Sequence, residues 1–224
     1  MSVAGLAICG VSGDAEQEEQ RLIQELMDEG MPVVQLDRYV QESSCPYVGI
    51  DNYYAGLYMT EKLIQTGHRN IVLLMGENST FIVRERCRGY KDAMEEQKLQ
   101  PHIFTYARDT YGSVYQQFYK IVHSETKYTA VFTVGGDVDA IECIRAAHKM
   151  GIRIPSDISI AGFDDISLAE VINPTLTTIY QPKTEIGENA MRMLSAIIEK
   201  RLVKKKNIIL PFEYKMREST RIII

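Results

Sequence analysis

The sequence predicts an α/β protein in which parallel strands alternate with helices, and three observations support this fold class. Short apolar runs alternate with amphipathic stretches along all 224 residues, which is the pattern of βα units. A hydrophobic content of 45% and a charged content of 25% allow one large core or two cores of ordinary size. The apolar run in PSDISIAGFDD, residues 155–165, ends in two carboxylates, as a buried strand does at the rim of a sheet.

The strand-forming runs and the helical patterns follow one another in a regular order. Strands are expected at 3–9, 32–37, 47–50, 70–75, 102–106, 129–134, 158–163 and 176–180. Between them, apolar residues recur every three or four positions and glycines such as Gly30, Gly67 and Gly151 mark helix ends. Helices are therefore expected at 15–29, 52–67, 82–97, 112–124, 138–150 and 184–200.

The strands are distributed unevenly along the chain. After residue 70 the pattern describes a nearly complete doubly wound unit, whereas the part before it is short. We expect a partial N-terminal lobe at 1–67, with 182–207 as a candidate segment for returning to it, and a C-terminal lobe at 68–181. Residues 208–224 are expected to form terminal strands and a tail.

Charge and cysteine usage limit the possible partners. The net charge of -5 argues against a broad contact of this chain with nucleic acid, which requires a dense basic patch. The four cysteines are spread singly without metal-ligand or redox spacing, so no metal and no cofactor are expected and buried free thiols are predicted. No apolar run approaches the roughly 20 residues of a membrane span, and the first residues lack the features of a signal peptide, which predicts a cytoplasmic protein.

Five polar residues are candidates for contacting a ligand. Asp51, Asp137 and Asp164 fall where strands end or helices begin, although helix capping alone is the more common role for an acid placed like the first two. Arg86 flanks the apolar stripe of its helix, from which its donors can reach vicinal oxygens, and Gln181 directly follows a strand. The alternative for Arg86 and Gln181 is an ordinary solvated side chain.

No arrangement of nucleophile and base is apparent. The four histidines pair with no Ser or Cys in a nucleophile turn, and the motif GxSxG is absent. Asp137 and Asp164 could form a glycosidase pair, but the sequence does not fix the separation of their carboxylates. An enzyme is not expected.

Several motifs occur together in a characteristic order. They are PVVQLDR (32–38), YVGIDNYYAG (47–56), LIQTGHRNIVLL (63–74), RERCRGYKDAM (84–94), AVFTVGGD (130–137), GIRIPSDISIAGFDD (151–165), LTTIYQPKTEIGENA (176–190) and RES (217–219). In this order and spacing the chain resembles the effector-binding core of the LacI/GalR family of sugar-responsive transcriptional repressors. The resemblance covers almost the whole chain.

The resemblance implies two Rossmann-like lobes of the periplasmic-binding-protein type, a small ligand in the cleft between them, and a homodimer. Positions matching Asp51, Arg86, Asp137, Asp164 and Gln181 tend to face the ligand in that family, whereas Gly136 stands where the family usually has Asn. The family core begins with two further βα units, preceded by a hinge helix and a helix-turn-helix domain. The first lobe is therefore expected to be incomplete, and operator DNA would be bound only through a domain absent from this chain.

The resulting expectation is an effector domain that binds a small neutral sugar or polyol. Three Asp residues against one Arg would repel a phosphate or a carboxylate but suit hydroxyl groups. In the intact regulator, the ligand would change the relative angle of the lobes and so the spacing of paired DNA-binding heads. The alternative is a periplasmic sugar-binding protein of a transport system.

Overall fold

A computed structural model describes residues 3–10, 15–40, 43–108, 110–202 and 206–223. The chain divides into two compact units: the first comprises Met1–Asp51, Asn78–Ile82 and Pro182–Phe212, and the second comprises Asn52–Glu77, Val83–Gln181 and Glu213–Ile224. Their sheets of parallel strands confirm the predicted α/β class.

The elements lie close to the ranges predicted from the sequence. The strands are β1 (Leu6–Ile8), β2 (Val33–Leu36), β3 (Tyr47–Ile50), β4 (Ile71–Gly76), β5 (His102–Tyr106), β6 (Ala130–Thr133), β7 (Ser159–Ala161), β8 (Thr178–Tyr180), β9 (Asn207–Leu210) and β10 (Glu213–Lys215). The helices are α1 (Glu16–Asp28), α2 (Asn52–Gln65), α3 (Phe81–Glu96), α4 (Ser113–Val122), α5 (Asp137–Met150) and α6 (Lys183–Ile198). A short 3-10 helix spans Ser167–Glu170.

The first unit is a parallel sheet in the order β1-β2-β3-β9, with α1 and α6 packed on it. Apolar residues from α1 and from β2 with the segment that follows it form one cluster: Ile23, Val33, Val40 and Cys45. Helix α6 buries Ile186, Ala190, Met193 and Leu194. Of the four free cysteines, Cys45, Cys87 and Cys143 are buried, but Cys9 is exposed, because it follows the edge strand β1.

The second unit contains a parallel sheet in the order β5-β4-β6-β7. Helices α4 and α5 pack against each other beside this sheet, around buried residues such as Phe118, Val131 and Ile144. Strands β8 and β10 form an antiparallel pair, and bridges at Ala161–Thr177 and Asp164–Tyr180 place β8 beside the end of β7.

One predicted boundary is wrong. Helix α2 was expected in the first lobe, which was predicted to extend to residue 67, but it belongs to the second unit. The reason is non-local packing: a β-carbon on Gly56 would lie 2.2 Å from the carbonyl oxygen of Arg86, and one on Gly89 would lie 2.1 Å from that of Tyr53. Glycines thus allow the backbones of α2 and α3 to approach closely. Residues 182–207 lie within the segment assigned to the first unit.

His68 fixes the C-terminal segment to the core of the second unit and makes stability pH-dependent. Its side chain is fully buried; Nε2 donates to the carbonyl of Arg221 at 3.2 Å, and Nδ1 lies 2.9 Å from the hydroxyl of Thr129. Burial lowers the pKa of His68 from 6.5 to about 4. The folded state therefore holds the neutral ring, and the unfolded state takes up a proton first as the pH falls.

We expect the stabilisation from neutral His68 to be present above pH 6.5 and to be lost between pH 6.5 and about 4. The loss should amount to about 3 kcal/mol. Urea denaturation of the wild type and of His68→Gln across this range measures it, because the difference between the two profiles isolates His68. Parallel profiles would show that His68 does not titrate in this way.

Candidate functional site

The carboxyl ends of β6, β7 and β8 bring together four of the five predicted site residues, all in the second unit. Asp137 opens α5 after β6, Asp164 follows β7, and Gln181 follows β8. Arg86 extends from α3 toward the same strand ends. The carboxyl edge of an open parallel sheet is the usual position for ligands.

Arg86 is almost completely buried, with 2% of its surface exposed, and three neighbours fix its guanidinium group. Nε donates to Oδ1 of Asn52 at 2.8 Å, and Nη1 donates to the carbonyl of Val134 at 2.9 Å. The guanidinium carbon lies 3.5 Å from the centroid of the Phe163 ring, which stacks on it. A cation removed from water and held in one orientation is preorganised to bind oxygen atoms.

Asp164 lies one residue beyond Phe163 and is tied to Gln181. The side-chain amide of Gln181, which is buried, donates to Oδ1 of Asp164 at 2.6 Å. Asp164 itself is partly exposed and has a left-handed φ of 107°. Its Oδ2 would lie 3.0 Å from a β-carbon on Gly136, so glycine at that position leaves room beside this carboxylate. Asp164 therefore presents a hydrogen-bond acceptor that Gln181 holds in place, and the missing side chain of Gly136 leaves space beside it.

The neighbouring Asp165 has a different role. Its Oδ1 forms an ion pair with Nη1 of Arg217 at 2.7 Å, and both side chains are largely buried. Arg217 also donates to the carbonyl of Leu176 and to Glu170. Of the two adjacent acids, Asp165 anchors the C-terminal segment, and Asp164 is the one oriented toward Gln181.

Asp137 is buried beneath the strand ends, with 1% of its surface exposed, and binds the protein with both oxygens. The hydroxyl of Thr178 donates to Oδ1 at 2.6 Å, and the amide of Ile166 donates to Oδ2 at 2.9 Å. Burial raises the pKa of Asp137 to about 6 despite these hydrogen bonds. Asp137 thus joins α5, β8 and the segment after β7, and so holds the residues around Asp164.

The raised pKa of Asp137 predicts a second pH effect, opposite in sign to that of His68. The unfolded carboxyl group, with a pKa of 3.8, releases its proton before the folded one, so its stabilisation is complete below pH 3.8 and is lost as the pH rises through 6. The wild type should lose about 3 kcal/mol relative to Asp137→Asn over this interval. Denaturation of both proteins at pH 4 and pH 7 checks this; a constant difference would contradict it.

Asp51 directly follows β3 and is exposed, but it lies in the first unit, so its relation to the other four residues stays a prediction. The sequence reasoning missed Asp37, which follows β2 at the same edge of the first sheet. Asp37 has a left-handed φ of 60°, and its buried Oδ1 has no hydrogen-bond partner in the described part of the chain. The sequence does contain a pattern that could have predicted Asp37: it directly follows the apolar run PVVQL, just as Asp51 directly follows YVGI.

The described ranges contain neither a metal-binding cluster nor a candidate membrane span. No group of three or more His, Cys, Asp or Glu residues there is arranged to hold a metal ion. Within the same ranges, no helix has the length and apolarity that crossing a membrane requires.

Comparison with known proteins identifies the family to which this fold belongs. The family profile described as "Periplasmic binding protein-like domain" matches residues 60–220. The chain belongs to this family. This match confirms the predicted periplasmic-binding-protein type of fold, and the relatives and the solved structure described below confirm the resemblance to LacI-type regulators.

Individual relatives of this family member are transcriptional regulators. The chain is 32% identical over 215 residues to the catabolite control protein A of Priestia megaterium, covering 94% of this chain and 63% of the relative. It is 31% identical over 191 residues to the ribose operon repressor of Haemophilus influenzae, covering 84% and 57%. The chain thus spans less than two thirds of either relative.

A solved structure supports the same placement. The LacI family transcriptional regulator of Enterococcus faecium, determined with bound ribose, is 26% identical and superimposes with a TM-score of 0.84. The match covers 97% of this chain and 80% of that structure.

Proposed function

We propose that this chain is the effector-binding part of a LacI-type transcriptional regulator and that its effector is a neutral sugar. The observation that carries the proposal is the arrangement of Arg86, Asp164 and Gln181 at the carboxyl edge of the second sheet. It offers a fixed guanidinium donor and a carboxylate acceptor, and vicinal hydroxyl groups both accept and donate hydrogen bonds.

The roles of the five predicted residues differ in this proposal. Arg86 and Asp164 contact the sugar, and Gln181 orients Asp164. Asp137 supports the strand ends from below, because both of its oxygens already bind the protein. Asp51, which lies in the first unit, stays a predicted ligand residue.

The names of the relatives favour regulation over the alternatives. They are a catabolite control protein, an operon repressor and a regulator with bound ribose, and none is a transport protein or an enzyme. We therefore propose a non-enzymatic, cytoplasmic protein that acts on operator DNA through a separate helix-turn-helix domain.

We also propose that the protein forms a homodimer through the second unit. Val138 at the start of α5 and Val171 after the 3-10 helix are 69% and 75% exposed, and Leu168 between them in sequence is 54% exposed. Apolar side chains so exposed favour a protein interface. Sedimentation analysis should give a dimer that Val171→Lys weakens; a monomer at every concentration would contradict the proposal.

Calorimetric titration with ribose, glucose, ribose 5-phosphate and glucose 6-phosphate tests the effector class. We expect at least one neutral sugar to bind and its phosphorylated form to bind more weakly, because a phosphate beside Asp164 would be repelled by that carboxylate and by the nearby negative charges of Asp137 and Asp165. Preferential binding of the phosphorylated forms would overturn the assignment of a neutral ligand.

A further inference from the structure

A separate cavity in the second unit lies at the other end of the same sheet edge. It has a volume of about 270 Å³ and is bounded by the end of β5, the segment that follows it, and the first turns of α4 and α5. Its charged lining residues are Arg108, Asp139, Glu142 and Arg145. Arg86, Asp164 and Gln181 do not line it.

Two of the four charges in this cavity neutralise each other. Nη2 of Arg145 lies 2.7 Å from both oxygens of Glu142, one turn earlier on α5. This ion pair leaves Asp139 and Arg108 as the charges available to a ligand.

Asp139 offers one unused acceptor. The hydroxyl of Tyr106 donates to Oδ2 at 2.6 Å, whereas Oδ1 receives no hydrogen bond from any described residue. Burial raises the pKa of Asp139, and the charge of Arg108 opposes this with a smaller effect. A carboxylate that is largely removed from water and half satisfied is stabilised by a cationic donor.

Arg108 is the complementary charge. It is exposed, and within the described ranges it forms neither a hydrogen bond nor an ion pair. Asp139 and Arg108 thus face one cavity without forming an ion pair.

Glycines keep both charged groups in place. A β-carbon on Gly135 would lie 2.4 Å from Oδ2 of Asp139, and one on Gly76 would lie 2.5 Å from Cγ of Arg108. Any other residue at these two positions would displace the carboxylate or the arginine stem. The backbone at the ends of β4 and β6 is therefore compatible with this pair of opposite charges.

We propose that this cavity binds a small zwitterion of the α-amino acid type, with its ammonium group on Asp139 and its carboxylate on Arg108. The volume lies just below the usual range of small-molecule pockets, which suits a ligand as small as an amino acid. The remaining polar lining, which includes Thr110 and Ser113, can contact a side chain of the ligand. The site is distinct from the proposed sugar site and would give the protein a second effector.

Titration calorimetry with the standard L-amino acids, each at millimolar concentration, tests the proposal on the full chain. We expect at least one to bind. Two analogues of the best ligand each lack one charged group: the amine lacks the carboxylate, and the carboxylic acid lacks the amino group. Each analogue should bind at least roughly tenfold more weakly than the amino acid. An amine or an acid that binds as tightly as the amino acid, or no binding by any amino acid, would overturn the proposal.

Variants separate this site from the sugar site. Arg108→Gln and Asp139→Asn should each weaken amino-acid binding at least roughly tenfold, whereas the control Arg192→Gln, at an exposed arginine on α6, should leave it unchanged. Arg108→Gln should also leave sugar binding unchanged, so failure of one proposal is distinguishable from failure of the other. Unchanged amino-acid affinity in both cavity variants would place the ligand elsewhere and overturn the assignment.

Discussion

Replacing Arg86 with Ala should abolish sugar binding and lower the free energy of unfolding by about 3 kcal/mol. The ligand loses its guanidinium donor. In addition, the buried acceptors Oδ1 of Asn52 and the carbonyl of Val134 lose their hydrogen bonds, and Phe163 loses the group stacked on its ring. Titration calorimetry and urea denaturation of the same preparation measure the two effects.

The matched control is Arg84→Ala, which replaces an exposed arginine two residues earlier on the same helix. It should leave affinity unchanged and alter stability by less than about 0.5 kcal/mol. Since loss of stability could itself reduce binding, titration is performed at a temperature where Arg86→Ala remains folded. Wild-type affinity in folded Arg86→Ala would remove Arg86 from the site.

Two neighbouring acids should respond in opposite ways to the same substitution. Asp164→Asn should weaken sugar binding by roughly tenfold to a hundredfold and leave stability nearly unchanged, because Asn tolerates the left-handed backbone and its carbonyl can still accept from Gln181. Asp165→Asn should retain binding but lose about 2 kcal/mol of stability, since it breaks the largely buried ion pair with Arg217.

This pair of variants distinguishes a binding role from a structural role at adjacent positions in one turn. Calorimetry gives the affinities, and denaturant midpoints give the stabilities. Equal losses of affinity in both variants would indicate a general disturbance of the turn and would argue against a specific contact at Asp164.

The elements were predictable because their signals are local. The apolar run and the two acids of ISIAGFDD predict β7 and the position of Asp164 at its end, and the alternation of patterns predicts the six α-helices of the described ranges. It was harder to predict from the sequence which elements belong to the same unit. The association of α2 with the second unit depends on the close approach of Gly56 and Gly89 to backbones distant in sequence, which no periodicity reveals.

The burial of the site residues could not be predicted from the sequence either. Arg86 flanks an apolar stripe, as many solvated arginines do, and its burial arises from Asn52, Val134 and Phe163 on three other segments. Likewise, an acid at the start of α5 predicts a helix cap, but Asp137 receives its hydrogen bonds from Thr178 and Ile166. Such roles are set by tertiary contacts between segments far apart in sequence.

A crystal structure of this protein with the tightest-binding sugar of the titration panel tests the central claim most directly. We expect one sugar hydroxyl within hydrogen-bond distance of Oδ2 of Asp164 and another within reach of the Arg86 guanidinium, with Asp137 still bound to Thr178 and Ile166. A sugar bound away from Arg86 and Asp164 would contradict the assignment of this sheet edge as the effector site.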